Sequence, residues 1–148
     1  MSDVESVKLK RNLTALVDFS RIINSSLDLQ FILSNLLLTC MGKFFAPRGL
    51  IALNINGTFF VRSSKGVNDS VLGLFPEIIV DDINNHNWFR EFLIYNKFTA
   101  VEKICSSNDV IGLVCLGEKL TKLPYTEDDL EFLRTIINIS ASRYRGDG

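Results

Sequence analysis

Few side chains in this sequence are able to do chemistry, and most of them have a plainer role within reach. His86 is the only histidine. It stands in Asn84-Asn85-His86-Asn87, where no neighbour offers a second metal ligand, so it reads as a solvated or capping residue at a helix start. Three cysteines, Cys40, Cys105 and Cys115, form no Cys-x-x-Cys pair. Cys40 and Cys115 sit in apolar runs, where a thiol behaves as a small buried hydrophobe. An odd, unpaired set of thiols points to a reducing compartment, the cytoplasm. Asp81-Asp82 and Glu127-Asp128-Asp129 fall at predicted helix starts, where a carboxylate caps free N–H groups and meets the positive end of the helix dipole. No phosphate-binding glycine loop, dinucleotide fingerprint, His-Glu-x-x-His or Gly-x-Ser-x-Gly occurs. Nothing here calls for an enzyme, a metal or a cofactor.

Binding chemistry has a better candidate. Arg62, Ser63 and Ser64 close a predicted strand, and Asn68 and Asp69 follow Gly66. Trp88 and Arg90 lie on a predicted helix, and Glu102 and Lys103 on a later strand. A purine ligand needs a stacking surface, a cation for its phosphate and a hydroxyl or amide for its base edge. Trp88, Arg62 or Arg90, and Ser64 or Asn68 supply these types. Position by position, the plainer assignment is a core tryptophan among solvated neighbours.

The elements that would position these residues follow from periodicity. Leu9, Leu13, Leu16, Ser20 and Ile23 recur at helical steps and predict a helix over about residues 4–25, with Val17, Phe19 and Ile22 forming a second, offset stripe. Asp28 is a predicted N-cap for a helix over about 29–45 that Pro47 helps to end. Leu29, Ile32, Leu33, Leu36, Leu37 and Cys40 or Met41 form its buried face, with Leu38 and Phe44 broadening it. The period then changes. Residues 49–55 and 58–64 read as strands around Asn56-Gly57, a hairpin turn that needs positive φ at both positions. The stretch 67–98 is irregular, with short helices expected near 70–75 and 84–96. Two further strands, 99–104 and 110–116, flank a turn at 106–109. Thr126 and Asp129 form a capping box for a last helix over about 127–144. Hairpin-joined strands give an α+β fold with a central antiparallel sheet of about six strands, terminal helices on one face and the helical insert over the other.

At 148 residues the chain fits one domain, 1–148. The formal net charge of -1 implies no basic surface for nucleic acid, and no apolar run is long enough for membrane insertion.

The opening LTALVDFSRIINSSLDLQFILSNLLLTCMGKFFAPRGLIALNI and, more diagnostically, the closing IGLVCLGEKLTKLPYTEDDLEFLRTIINISAS resemble the GAF domain family, above all bacterial signalling members. The resemblance covers nearly the whole chain. It implies a regulatory small-molecule domain, with a cyclic nucleotide as the leading ligand. It also implies a homodimer through the terminal helices and a covalently linked output domain of phosphatase, diguanylate cyclase or kinase type. The alternative is a ligand-free dimerising spacer or a protein-docking module. Cyclic-nucleotide members carry an Asn-Lys…Phe…Asp-Glu motif. Lys119, Tyr125 and Asp129 fall on its lysine, aromatic and aspartate, whereas Glu118 and Leu130 depart from it. The match implies an ion pair between Lys119 and Asp129. The bilin-binding branch needs a cysteine in the insert, which has none. The methionine sulfoxide reductase branch needs a cysteine cluster, and only Cys105 is near its place. A chain that stops just after a helix, without an effector, reads as part of a longer signalling protein.

Overall fold

The computed structural model describes residues 7, 11, 12, 14–16, 28–80, 83, 87–106 and 108–147. Helix α1 (Leu29–Phe44) starts where Asp28 accepts a hydrogen bond from the Gln30 N–H at 2.9 Å. It stops at Phe45, which adopts left-handed backbone (φ 52) while its N–H and that of Ala46 close on the Met41 carbonyl. Ile32, Leu33, Leu36, Leu37, Cys40 and Phe44 are buried. Leu38, expected to broaden that face, is 51% exposed instead. Each residue turns the helix by about 100°, and that step carries Leu38 past the end of the buried arc.

Strands β1 (Gly49–Ile55) and β2 (Thr58–Lys65) form the expected hairpin. Asn56 and Gly57 have φ of 54 and 93, and the Asn54 side chain accepts from the Gly57 N–H at 2.8 Å. The chain then passes through α2 (Asp69–Leu72), β3 (Ile78–Ile79) and α3 (Asn87–Tyr95). It returns as β4 (Phe98–Ser106) and β5 (Asp109–Gly117) and ends in α4 (Glu127–Asp147). The sheet is antiparallel with order β3-β2-β1-β5-β4. Among the described residues it has five strands, where about six were expected. The short β3 has no alternation long enough to read, and is held by pairing with Thr58 and Phe59 and by a Val80 N–H donated to the Gly57 carbonyl.

Alternation along the strands makes two cores. Ile51, Leu53, Val114, Leu116 and Ala100 face α1 and α4, while Leu50, Ala52, Leu113 and Cys115 face the insert with Phe59, Phe89 and Phe92. Both layers of the expected sandwich are therefore present. The described residues of the N-terminal segment are helical, and Ala15 and Leu16 pack on the first core. Leu9, Leu13, Val17, Phe19, Ser20, Ile22 and Ile23 lie outside the described residues. Among the described residues no helix is long and apolar enough to cross a membrane.

Two glycines separate backbone strain from steric clash. Gly57 and Gly66 both have positive φ, but a Cβ at Gly57 meets nothing, whereas at Gly66 it would lie 2.1 Å from the Pro47 carbonyl oxygen. Urea unfolding should show Gly57→Ala costing about 1 kcal/mol and Gly66→Ala about 3 kcal/mol or more. Equal costs would mean that the β2 end does not pack on the Pro47 loop as described.

Candidate functional site

The junction between β5 and α4 is the most tightly bonded polar region. Lys119 Nζ lies 2.6 Å from Asp129 Oδ2, and both side chains are largely buried. The same carboxylate accepts from the Thr126 N–H at 2.9 Å, and the Thr126 hydroxyl accepts from the Asp129 N–H at 3.1 Å, closing the capping box. Tyr125 donates its hydroxyl to the Gly117 carbonyl at 2.7 Å and packs edge-on against Phe44. The Lys119 ammonium sits over both rings, 5.0 Å from Tyr125 and 5.8 Å from Phe44. The junction thus ties the loop after β5 to the start of α4 and the end of α1.

A second region has the open geometry of a binding site. A cavity of about 560 Å³ runs along β4, the edge strand of the sheet. Ile83, Phe89, Arg90 and Leu93 form the wall on the insert side. Arg134, Ile137 and Asn138 form the opposite wall, on α4. Val101, Glu102, Lys103 and Cys105 lie between them. Register explains how one cavity reaches both sides of the sheet. Lys103 pairs with Leu113 and points toward the insert, whereas Glu102 pairs with Val114 and points toward α4. There Glu102 accepts from Arg134 at 3.2 Å, and Arg134 also reaches Glu127 in the first turn of α4 at 3.2 Å. These two carboxylates, Glu127 first, raise the pKa of the guanidinium.

Of the residues expected to gather around a purine, Arg90 alone lines this cavity, with Glu102 and Lys103 beside it. Trp88, expected as the stacking surface, is 75% exposed on α3. The helix buries Phe89 and Phe92 instead, so its apolar arc begins one residue later. Arg62 sits in a bulge, because Ile51 pairs with Ser63 and Ala52 with Val61, and its carbonyl accepts from Gln30. Ser64, on β2, pairs with Leu50 of β1, far along the sheet from β4. The Asn68 side chain caps α2 by accepting from the Val71 N–H at 2.9 Å. Arg134 and Asn138 escaped sequence reasoning. The available signal was Glu127 and Arg134 seven residues apart, two helical turns on one face. Among the described residues no cluster of three or more His, Cys, Asp or Glu side chains is placed to hold a metal, and His86 lies outside them.

No family model matches the sequence, and no curated protein does. Solved structures share its architecture. The chain is similar to the GAF domain of an Acinetobacter phosphoenolpyruvate-protein phosphotransferase, with a TM-score of 0.66 at 17% identity over 99% of this chain and 95% of that one. It is similar to a GAF domain/HD domain protein from Geobacter sulfurreducens, with a TM-score of 0.67 at 12% identity over 84% and 97%. It also resembles the GAF domain of the potassium sensor histidine kinase KDPD from Escherichia coli, with a TM-score of 0.59 at 14% identity over 90% and 93%. The fold is that of a GAF domain.

Within this GAF fold the thiols divide sharply. Burial pushes the Cys40 thiol up to about 12 and raises Cys115 as well, so neither is a thiolate near neutral pH. Cys105 is exposed at the cavity. Burial also raises the Tyr125 phenol, with Cys40 and Asp129 adding to the effect, so it stays a donor to Gly117.

Asp129 behaves in the opposite way. Burial alone would raise its pKa, but the hydrogen bond from Lys119, that from the Thr126 N–H and the Lys119 charge outweigh it and hold the carboxyl below its usual 3.8. A depressed folded-state pKa stabilises the fold above the unfolded value, and that contribution is lost as pH falls through the folded one. Lys119→Met should therefore cost about 2 kcal/mol at neutral pH, the scale of a lost charge-assisted hydrogen bond. The gap between parent and variant in urea unfolding should close as pH drops below 3.8. A gap that stays constant into the acid range would show that Lys119 acts through packing on Phe44 and Tyr125, not through Asp129.

Proposed function

We propose that this chain is a non-catalytic regulatory domain of a cytoplasmic signalling protein. Its input is an anionic ligand bound along the edge of β4, and its output leaves through α4. The observation that carries this reading is the cavity itself, which joins the insert helix to the C-terminal helix across one strand. An occupant there touches both layers, so its binding energy can differ between two positions of α4, and only such a difference can shift a population. Arg90, Lys103 and Arg134 against Glu102 give the described walls an excess of positive charge. The finer expectation of a cyclic nucleotide keeps its cation in Arg90, while its stacking surface would have to be Phe89 instead of Trp88. Lys119, Tyr125 and Asp129 serve this reading as the fixed end of α4. A linked output domain agrees with the company similar GAF domains keep, beside an HD domain, in a phosphotransferase and in a histidine kinase. A thermal-shift panel of cyclic mononucleotides, cyclic dinucleotides, inorganic phosphate and polyglutamate tests the input. A ligand at a hundredfold over its Kd adds about 2.7 kcal/mol. At least one anion should raise the Tm, and Lys103→Glu should abolish the rise. A panel with no active member overturns the anionic input.

The reading includes dimerisation through the N-terminal helix. Ala15 and Leu16 pack on the first core, so the side of the segment away from them is the one offered to a partner. On helical spacing Val17 lies away from both, and this reading gives it to a partner copy. Sedimentation of the parent beside Val17→Glu decides this point. The parent should be a dimer and the variant a folded monomer. A parent that stays monomeric at high micromolar concentration removes the dimer, and a dimeric variant places the interface elsewhere.

A further inference from the structure

Strand β4 divides the charges of the cavity between two faces. On the α4 face Arg134 already holds Glu102 and Glu127, each at 3.2 Å, so an anion entering there would have to displace a carboxylate. The insert face is different. Val101, Lys103 and Cys105 alternate along β4 on that side, since Lys103 pairs with Leu113 and Cys105 with Val110, and Val101, Val110 and Leu113 all belong to the second core. Ile83, Phe89 and Leu93 close over them from the insert. Among the described residues this wall has five apolar side chains, two cations and one thiol, and no carboxylate, amide or hydroxyl. The two cations are not equivalent. Arg90 already has a partner within the chain. Lys103 is partly buried, yet it forms none of the ion pairs or hydrogen bonds of the described residues. An ammonium drawn against an apolar wall without a counter-charge costs stability.

We propose that the occupant of this wall is a small organic acid, with one carboxylate at Lys103 and an apolar body against Phe89, Leu93, Val101 and Leu113. The proposal rests on the anionic input described above and names its chemical class. A single unpaired ammonium calls for a single negative charge, and in apolar surroundings that pairing is stronger than at an open surface. The body follows from what the wall lacks. A nucleotide brings a base edge and a ribose whose donors and acceptors are costly to bury without partners. Apart from the cations, this wall offers them only the weakly bonding thiol of Cys105. A hydrocarbon body asks only for contact. The cavity of about 560 Å³ is of the size that small-molecule sites take, roughly 300–1,000 Å³, and such sites are mostly apolar with a few placed polar groups.

The probes are 3-phenylpropanoate, 4-methylpentanoate and octanoate, each beside its own amide, with acetate as a head without a body. Calorimetry should show at least one acid binding about tenfold or more tightly than its amide and than acetate. Cys105 reports where it binds. This thiol is exposed at the cavity while Cys40 and Cys115 are buried, so alkylation by iodoacetamide reads Cys105 alone, and the bound acid should slow it severalfold. Lys103→Met should bring the acid down to the affinity of its amide and leave the amide unchanged, whereas a damaged fold would weaken both. Acids and amides binding alike would overturn the proposal. So would acetate binding as tightly as the larger acids, or an acid that binds without slowing Cys105. Acids that fail while a cyclic nucleotide or phosphate raises the Tm overturn the organic acid and leave the anionic input standing. Failure of every anion overturns both.

Discussion

Burial of the central strands on both faces is the constraint from which the rest of the molecule follows. β1 and β5 lose water above and below, so nearly every residue along them is apolar or small. A charge there would have no partner and would cost several kcal/mol. Gly112 meets this demand at its extreme, because a Cβ would lie 2.9 Å from the Ala52 carbonyl oxygen. Chemistry is therefore displaced outward, to the strand at the margin and to the loops where the strands end. β4 is the one long strand with charged residues on both faces, Glu102 toward α4 and Lys103 toward the insert. The location of the cavity is a consequence of the packing of the centre.

The same constraint explains why α4 has two polar anchors of unlike character. Its start is fixed by Lys119, Thr126 and Tyr125 in a largely buried setting, where each partner lost would leave another polar group unsatisfied. Two turns further on, Arg134 bonds Glu102 and Glu127 at the surface, where water can replace either carboxylate at little cost. A buried anchor holds position and an exposed one can be exchanged. The fixed contact lies at the first turn of the helix, and the exchangeable one faces the cavity.

The parts of this architecture legible in the sequence were those decided locally. Asp28, Asn56-Gly57 and the Thr126–Asp129 box act through backbone groups two or three residues away, so spacing alone determines them. The alternation that builds two cores was legible for the same reason. The candidate site was not. Trp88 and Phe89 are neighbours, and which of them turns inward depends on how a nine-residue helix is rotated by its packing on Phe75, Phe98 and the sheet. The bulge at Arg62 depends on a register shift against β1. A one-residue shift reverses which face a side chain serves, and no pattern in β2 by itself reports it. The short β3 exists only through its partner strand, and Arg134 becomes a site residue only because β4 runs beneath it.

Sequence identities of 12–17% with GAF domains of the same architecture show how little of the fold depends on particular residues. Two apolar faces, a tight hairpin and a capped final helix suffice, and each can be met by many side chains. What the fold does not require is then the more informative part of this chain. Nothing in the packing demands a lysine at position 103, since a solvated residue of any kind would serve at a sheet margin. Nothing in the last helix demands an arginine at 134, because the apolar stripe of Leu133, Ile136 and Ile137 already secures it. Groups that stability does not need, standing together around one cavity and sharing one sign of charge, are better explained by what approaches the edge than by what holds the core.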